Sequence, residues 1–272
     1  MAGGGAHVRR ADPGSGYRRF CTAGVDLAEI GFATCSLVAG QAWEGRLGDV
    51  EVLGVVLRGR VAAAAGGATW PELGGRATVF AGRASAFYAP PGSPLHLRAE
   101  GGDALVALCE APVSAGLRCP EPYAIGPDEV RVAERGRAPF QREVHDILDA
   151  SRPAARLVVG ETFNAPGNWS SYPPHKHDEA RGDDEVRMEE LYYFQFDPDQ
   201  GFGGQFLYAA DGSLDEAYRV RHGDVTLLPR GYHPVAAAPG YRLYYLWAMA
   251  GDGRHLRPAD DPAHAWVKTA AP

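Results

Sequence analysis

The stretch GDVTLLPRGYHP, residues 223–234, decides the fold. It runs from a β-rich segment through a Pro-x-Gly turn to a histidine. The first half of the chain has the same order in FYAPPGSPLHL, residues 87–97. Proline and glycine at such positions favour tight turns between strands. Two similar units in tandem therefore predict an all-β protein built from two barrels.

Short β-rich segments separated by turn residues continue outward from both stretches. The chain has 35 glycines and 21 prolines, and long segments with helical periodicity are scarce, so the pattern is typical of sandwiches or barrels. We predict a flexible N-terminal tail, a first barrel, a linker with one short helix at Gln141–Leu148, and a second barrel. The predicted bounds are 1–18, 19–118, 119–152 and 153–272.

Composition narrows the classes of function. The 272 residues carry a formal net charge of −7, and the pI is about 5.7. Nucleic acids and anionic membranes attract basic surfaces, so neither is an expected partner. The four cysteines are scattered and form no C-x-x-C, the N-terminus lacks the apolar segment of a signal peptide, and no apolar run approaches the length of a membrane span. These features predict a cytoplasmic protein with reduced thiols.

The segment HKH, residues 175–177, is the first candidate for metal chemistry. On a strand, alternate side chains share a face, so His175 and His177 would point into a barrel together and Lys176 would point away. Two neutral imidazoles at this spacing suit a divalent ion. Alone, the motif is a weak signal, and a surface or hydrogen-bonded pair is the more common explanation.

A carboxylate and a third imidazole strengthen the metal hypothesis. The strand EELYYFQF begins with Glu189 and Glu190, which face opposite ways, and parity leaves open which one looks inward. The turn formed by Pro229 and Gly231 then delivers His233. Three histidines and one carboxylate from separate segments predict a metal site in the second barrel.

These motifs resemble those of the cupin superfamily, with a longer gap before the glutamate and one fewer residue between Gly231 and His233. With GNWSSYPPHKHD, EELYYF, QGFG, GDVTLLPRGYHPV and YYLWAMAG, the chain resembles the 5-deoxy-glucuronate isomerase family of myo-inositol catabolism. The resemblance is dense from Gly167 to about Trp266 and looser in the first half. It implies a bicupin, that is, two tandem double-stranded β-helix barrels.

The resemblance also implies a metal site and an activity. The implied ligands are His175, His177, Glu190 and His233, and related hexuronate isomerases favour Glu190 over Glu189. The first cupin lacks the H-x-H and the glutamate. We therefore expect no metal there, a structural role for His96, and a scaffolding or dimerising role for that half. The implied reaction is the aldose–ketose isomerisation of 5-deoxy-glucuronate to 5-dehydro-2-deoxy-gluconate, and we expect a homo-oligomer, a dimer or larger.

A divalent ion with open positions suits this chemistry, because it would hold the C1 carbonyl oxygen and the C2 hydroxyl and stabilise developing negative charge. Zinc or manganese fits the ligand set best, and iron, cobalt and nickel are also compatible. Proton transfer through an enediolate and a hydride shift both stay open.

Several side chains are candidates for the remaining roles. Tyr192, Asp178 or a metal-bound hydroxide is a candidate base. Arg230, beside His233, is the predicted anchor for the substrate carboxylate, with a solvent-facing loop arginine as the alternative. The residues predicted to bind sugar hydroxyls, unless they simply pack in the barrel, are Tyr172, Tyr192, Gln205 and Tyr232.

Two rival functions use the same fold. One is a mononuclear iron dioxygenase, which a third histidine disfavours because it fills a position that oxygen would need. The other is a non-catalytic barrel that binds sugar acids. Fold alone does not separate these from an isomerase.

Overall fold

The computed structural model describes residues 7–11 and 14–270, and these residues form 23 β-strands, three 3-10 helices and no α-helix. The strands are β1 Val8–Arg9, β2 Gly16–Cys21, β3 Gly31–Leu37, β4 Ala42–Arg46, β5 Val50–Arg58, β6 Arg60–Ala65, β7 Ala68–Gly74, β8 Ser85–Ala89, β9 Pro94–Ala99, β10 Ala104–Pro112, β11 Tyr123–Ile125, β12 Arg131–Arg135, β13 Arg142–Leu148, β14 Val158–Asn164, β15 Trp169–Ser170, β16 His175–Lys176, β17 Met188–Asp197, β18 Phe202–Tyr208, β19 Asp215–Arg221, β20 Val225–Leu228, β21 Val235–Ala237, β22 Arg242–Gly251 and β23 Ala259–Asp260. The 3-10 helices are Val79–Ala81, Pro127–Glu129 and Ala265–Lys268. In the described part of the chain, no helix has the length and apolarity needed to cross a membrane.

The chain divides into two compact units. The N-terminal barrel comprises residues 14–131 and 145–160, and the C-terminal barrel comprises residues 7–11, 132–144 and 161–270. Three of the points where the chain passes from one unit to the other lie within strands, in β12, β13 and β14. The all-β, two-barrel prediction is therefore confirmed.

The N-terminal barrel contains a six-stranded sheet, in the order β11-β8-β5-β10-β3-β2, and a four-stranded sheet, in the order β4-β9-β6-β7. In β9 the side chains alternate between exposed and buried along PLHLRA. This is the pattern expected of a strand with one face on the core and one in water. The inward side chains join an apolar cluster that includes Val52, Val56, Phe87, Leu95, Leu97, Val106 and Leu108.

The C-terminal barrel contains a seven-stranded sheet, β1-β20-β17-β22-β14-β13-β12, a four-stranded sheet, β15-β21-β18-β19, and the pair β16-β23. Strands β17 and β22 lie inside the large sheet and are buried along almost their whole length. Their antiparallel register sets Glu190 opposite Met249 and Tyr192 opposite Trp247. Because side chains alternate, Glu190 and Tyr192 project from the same face of β17.

The predicted helix at Gln141–Leu148 is wrong. Residues Arg142–Leu148 form β13, which lies between β12 and β14 in the seven-stranded sheet. A helix of two turns has little stability of its own in water, whereas a strand in this position gains hydrogen bonds from two neighbours. The predicted linker, residues 119–152, also differs from the structure, since β11, β12 and β13 are parts of the two units.

The predicted flexible tail, residues 1–18, is wrong for the residues that the structure describes. Val8 pairs with Thr226 on β20, and residues 16–18 form the start of β2, which pairs with β3. Arg10 and the backbone N–H of Ala11 both donate to the buried carboxylate of Asp224, at 2.5 and 3.1 Å. Residues 8–11 are therefore held in place by pairing with the edge of β20 and by hydrogen bonds to Asp224. The amino-acid composition of this segment gives no sign of that order. Residues 1–6 and 12–13 lie outside the described residues.

Candidate metal centre

His177 is oriented by a backbone carbonyl. Its Nδ1 lies 2.9 Å from the carbonyl oxygen of Met188. Because a carbonyl oxygen only accepts, Nδ1 carries the proton and Nε2 is the nitrogen left to bind an acceptor or a cation. Nε2 lies 3.1 Å from Oε2 of Glu190. Burial lowers the pKa of His177, but the hydrogen bond and charge of Glu190 outweigh burial and raise it above the ordinary value.

Glu190 is the inward-facing member of the glutamate pair. Its side chain is buried, whereas that of Glu189 is partly exposed, so the structure resolves what parity leaves open. The Tyr192 hydroxyl donates to Oε2 of Glu190 at 3.2 Å. Burial raises the pKa of Glu190, but the neighbouring imidazoles of His177 and His233 outweigh burial and lower it to about 2. This carboxylate is therefore ionised, as a metal ligand must be.

His233 is placed by the Pro-x-Gly turn. Gly231 has a φ of 88°, and a Cβ there would lie 2.6 Å from the carbonyl oxygen of Tyr208, so the turn requires glycine. Nδ1 of His233 donates to the carbonyl oxygen of Gly231 at 2.8 Å. Gln205 in turn donates to the carbonyl oxygen of His233 at 3.0 Å. The ring is thus fixed with Nε2 directed at Glu190, 3.3 Å from Oε2.

These three side chains converge on one point. One donor atom from each of His177, Glu190 and His233 lies within 4.8 Å of the other two. The Nε2 atom of His233 is buried and has no hydrogen-bond partner among the described residues. Buried polar atoms without partners are rare and costly, so this nitrogen is available to a cation placed between the two imidazoles and the carboxylate. Two nitrogens and one oxygen form a donor set that fits a divalent transition-metal ion.

His175 lies beside this group. Its ring centroid is 5.0 Å from that of His233 and 6.4 Å from that of His177. Burial lowers its pKa well below the ordinary value, with a further contribution from the two neighbouring imidazoles. His175 is therefore neutral, the form in which a histidine binds metal.

Lys176 lies on the opposite side of the H-x-H, as strand parity predicts. Its Nζ forms ion pairs with Asp178, with Glu179 at 2.9 Å and with the buried Glu185 at 3.0 Å. Asp178 also accepts a hydrogen bond from the backbone N–H of Gly231 at 2.6 Å. This connection links the H-x-H segment directly to the turn that carries His233.

The residues predicted for catalysis separate into two groups. Tyr192 lies in the centre, with its ring centroid 6.1 Å from that of His233. Burial, and then the charge of Glu190, raise the pKa of Tyr192 well above its ordinary value, so the hydroxyl is a donor. The Asp178 carboxylate forms an ion pair with Lys176 and accepts a hydrogen bond from the N–H of Gly231. Its side chain therefore supports the site and is poorly placed to act as the base.

Arg230 does not reach the centre. It is exposed, and its guanidinium donates to the hydroxyl and the carbonyl oxygen of Ser213 at 3.1 and 3.4 Å. A turn residue close to His233 in sequence points away from it because Gly231 reverses the chain between them. The solvent-facing alternative from the sequence is the one observed.

Two of the predicted hydroxyl-binding residues are already engaged. The buried amide of Gln205 donates to the carbonyl oxygens of Phe206, His233 and Pro234. The buried Tyr232 packs against Tyr208 with ring centroids 5.2 Å apart. Both residues therefore help to hold the turn in place.

Tyr172 is partly exposed. Its ring packs against Phe140 and Trp169, with centroids 5.8 and 5.5 Å away. Of the predicted hydroxyl-binding residues other than Tyr192, it is the one that retains a partly accessible side chain.

Three further residues near the centre were missed. Ser171 has a φ of 49°, unusual for a residue other than glycine, and its hydroxyl lies 3.0 Å from that of Tyr192. The Tyr245 ring centroid is 4.4 Å from that of Tyr192. Arg142 lies on β13, in the same sheet as Glu190, whereas the incorrect helix prediction places it in a linker. For Tyr245 the aromatic run YRLYYLW indicates only a core strand, so the sequence gives no separate signal.

Fold and site together define a bicupin protein with a candidate metal centre in its C-terminal barrel. The chain belongs to the KduI/IolB family, whose model matches residues 19–267. It is 41% identical over 239 residues to a 5-deoxy-glucuronate isomerase of Geobacillus thermodenitrificans, covering 88% of this chain and 86% of the relative. It is 36% identical over 248 residues to the enzyme of the same name from Bacillus subtilis strain 168, covering 90% of each.

Solved structures agree with this membership. An IolB-like protein from Salmonella typhimurium LT2 superposes with a TM-score of 0.90 at 35% identity, over 96% of this chain and 98% of the other. Oxalate decarboxylase of Lactobacillus farciminis superposes with a TM-score of 0.62 at 14% identity, over 98% of this chain and 88% of the other. The second likeness supports the bicupin fold alone.

Proposed function

We propose that the protein is a metal-dependent aldose–ketose isomerase that converts 5-deoxy-glucuronate to 5-dehydro-2-deoxy-gluconate. Relatives at 36–41% identity over about nine-tenths of the chain carry this name. The observation that carries the proposal is the buried convergence of His177, Glu190 and His233, in which one imidazole nitrogen makes no hydrogen bond to a described residue.

The metal is proposed to be bound by these three residues with His175 as a fourth ligand. When bound, a divalent ion supplies a Lewis acid that polarises the C1 carbonyl oxygen and the C2 hydroxyl of the open-chain sugar. We propose zinc or manganese as the resident ion, since nitrogen and carboxylate donors suit both, and iron, cobalt and nickel fit the same donors.

The chain's own side chains prepare the site for this chemistry. Met188 and Gly231 accept the Nδ1 protons of His177 and His233, which keeps both Nε2 atoms available. Tyr192 bridges Ser171 and Glu190, and we assign to it a hydrogen bond to a sugar oxygen beside the reacting carbons. Asp178 is assigned a positioning role through Gly231.

The test is incubation of metal-loaded protein with 5-deoxy-glucuronate in heavy water, followed by NMR. We expect the ketose to form, with deuterium at C1 if the C2 proton exchanges with solvent during its transfer to C1. Ketose without deuterium would favour a hydride shift or a shielded proton. No ketose with any of the five metals would contradict the proposal, and oxygen uptake with iron would favour the dioxygenase alternative.

We also propose that the enzyme acts in the cytoplasm as a homo-oligomer, a dimer or larger. None of the four cysteines forms a disulfide, and Cys21, Cys35 and Cys109 are buried thiols, which suits a reducing compartment. Light scattering on the purified protein gives the mass directly, and a monomer at micromolar concentration would contradict the oligomer.

A further inference from the structure

Arg142 lies on the same sheet as the metal ligand Glu190. In the seven-stranded sheet the order β17-β22-β14-β13 places Glu190 and Tyr192 on the first of these strands, Tyr245 on the second and Arg142 on the fourth. The rings of Tyr192 and Tyr245 are 4.4 Å apart at their centroids. The charge of Arg142 acts on Tyr192, Tyr245 and His175. A continuous row of side chains therefore leads from the metal centre to this guanidinium.

The guanidinium is partly used by the backbone. Its Nη1 donates to the carbonyl oxygens of Phe140 and Tyr172, at 3.2 and 3.4 Å. Tyr172 stands three residues before His175, so these bonds fix Arg142 beside the H-x-H segment. Nε and Nη2 make no hydrogen bond to a described residue, and they form the edge that binds a carboxylate through two parallel bonds.

No carboxylate among the described residues pairs with Arg142. Burial lowers its pKa, yet a guanidinium stays charged in proteins. Several other partly buried cations of this chain have an acidic partner: Arg10 with Asp224, Arg19 with Glu110, Arg156 with Glu29, and Lys176 with Glu185. A partly buried charge without a counterion is costly, and an arriving anion removes the cost.

The distance suits a six-carbon acid. Three strand spacings separate β17 from β13 by roughly 14 Å. An arginine side chain covers about 6 Å of this, and an extended six-carbon chain spans about 6 Å between its end carbons. The two lengths together are of the same order as the separation of the strands, which is compatible with a sugar acid that reaches from the metal ligands to Arg142.

We propose that Arg142 binds the carboxylate of the substrate and makes the site selective for sugar acids over neutral aldoses. This inference rests on the proposed isomerase function. Removing the two parallel N–H donors of the guanidinium would weaken binding of the acid. Binding of a neutral sugar would not change, because a neutral sugar has no carboxylate for Arg142 to bind.

The experiment compares Arg142→Gln with wild type on two substrates, 5-deoxy-glucuronate and the same sugar with a primary alcohol in place of the carboxylate. We expect kcat/KM for the acid to fall about 100-fold or more, and kcat/KM for the neutral sugar to change less than about threefold. Arg142→Lys keeps the charge without the planar fork and should recover part of the loss. Arg58→Gln, which removes an exposed charge from β5 of the N-terminal barrel, is the control and should behave as wild type.

Binding provides a readout that is independent of turnover. The probes are the aldehyde-reduced acid and its neutral counterpart, neither of which can isomerise, and metal content is measured in every variant. We expect Arg142→Gln to weaken only the acid probe while metal content stays the same. Equal losses for acid and neutral compounds, a loss of metal, or an equal effect of Arg58→Gln would overturn the inference. If wild type binds the acid probe through Arg142 but produces no ketose, the proposed function fails and the anion site stands.

Discussion

The two barrels carry the same strand–turn–histidine order and use it in opposite ways. In the N-terminal barrel, β8 leads into Pro-Pro-Gly and His96 follows on β9 with an exposed side chain, 3.2 Å from Glu44. In the C-terminal barrel, β20 leads into Pro-Arg-Gly, and His233 follows with its ring buried against Glu190. One histidine lies at the surface and the other is a candidate metal ligand.

The difference arises from the backbone on the C-terminal side of each turn glycine. His96 lies in a regular strand, where Leu95 and Leu97 take the inward positions and fill an apolar core. His233 lies outside regular strand pairing, between an isolated β-bridge at Tyr232 and the start of β21. Hydrogen bonds from its ring to Gly231 and from Gln205 to its carbonyl oxygen hold the side chain toward the interior. The fold therefore supplies the turn in both halves, and local hydrogen bonding decides which half presents an imidazole to the interior.

The largest expected effect separates the two histidines. His233→Ala should reduce isomerisation by at least about a thousandfold and abolish stoichiometric metal binding, because it removes one of three convergent ligands. His96→Ala is the matched control and should leave rate and metal content unchanged. Kinetics and elemental analysis on folded protein measure both. An equal loss in His96→Ala would show that the two turns are not functionally different.

The next effect concerns the apolar interior of the N-terminal barrel. Leu97→Ala should lower the free energy of unfolding by about 3 kcal/mol, since the side chain is fully buried in the apolar cluster. Metal content should not change. Denaturant unfolding and elemental analysis test this pair of outcomes, and loss of metal from the folded variant would contradict the division of roles.

Removal of the metal should affect one barrel more than the other. Chelation should speed amide hydrogen exchange in β17 and in residues 229–233, and leave β9 and β10 unchanged. Free ion at 100 times its dissociation constant stabilises the bound state by about 2.7 kcal/mol. Hydrogen exchange followed by mass spectrometry resolves these segments. Uniform changes in both barrels would contradict a site confined to the C-terminal one.

The smallest expected effect concerns the carboxylates near each histidine. Asp178→Ala removes the acceptor of the Gly231 N–H and should weaken metal affinity about 10- to 100-fold. Glu44→Ala, which removes the exposed partner of His96, should change nothing measurable. Metal titration by calorimetry compares the two variants. Unchanged affinity in Asp178→Ala would mean that the turn holds its shape without this bond.

The sequence predicts the architecture well because strand periodicity and turn residues are local signals. It fails at β13, where seven residues with little preference of their own join a sheet whose other strands are distant in the chain. Pairing of Val8–Arg9 with β20 is a contact across more than 200 residues, so no local pattern reports it.

Within the site, the residues found from sequence are those with spacing motifs. His177, Glu190 and His233 come together as expected. Arg230 neighbours His233 in sequence, but it lies at the surface and donates to Ser213. Arg142 is 33 residues before His175 and is brought near only by the sheet order. Motifs thus locate the side chains that converge, whereas the positions of the surrounding charges depend on topology.

The strand Val8–Arg9 lies before residue 19, where the match to the family model starts. It covers the open edge of β20, the strand that leads into the turn carrying His233. A chain shortened to begin at residue 19 would expose that edge, and uncovered edges invite association between molecules. Purification handles for this enzyme therefore belong at the C-terminus or behind a generous N-terminal spacer.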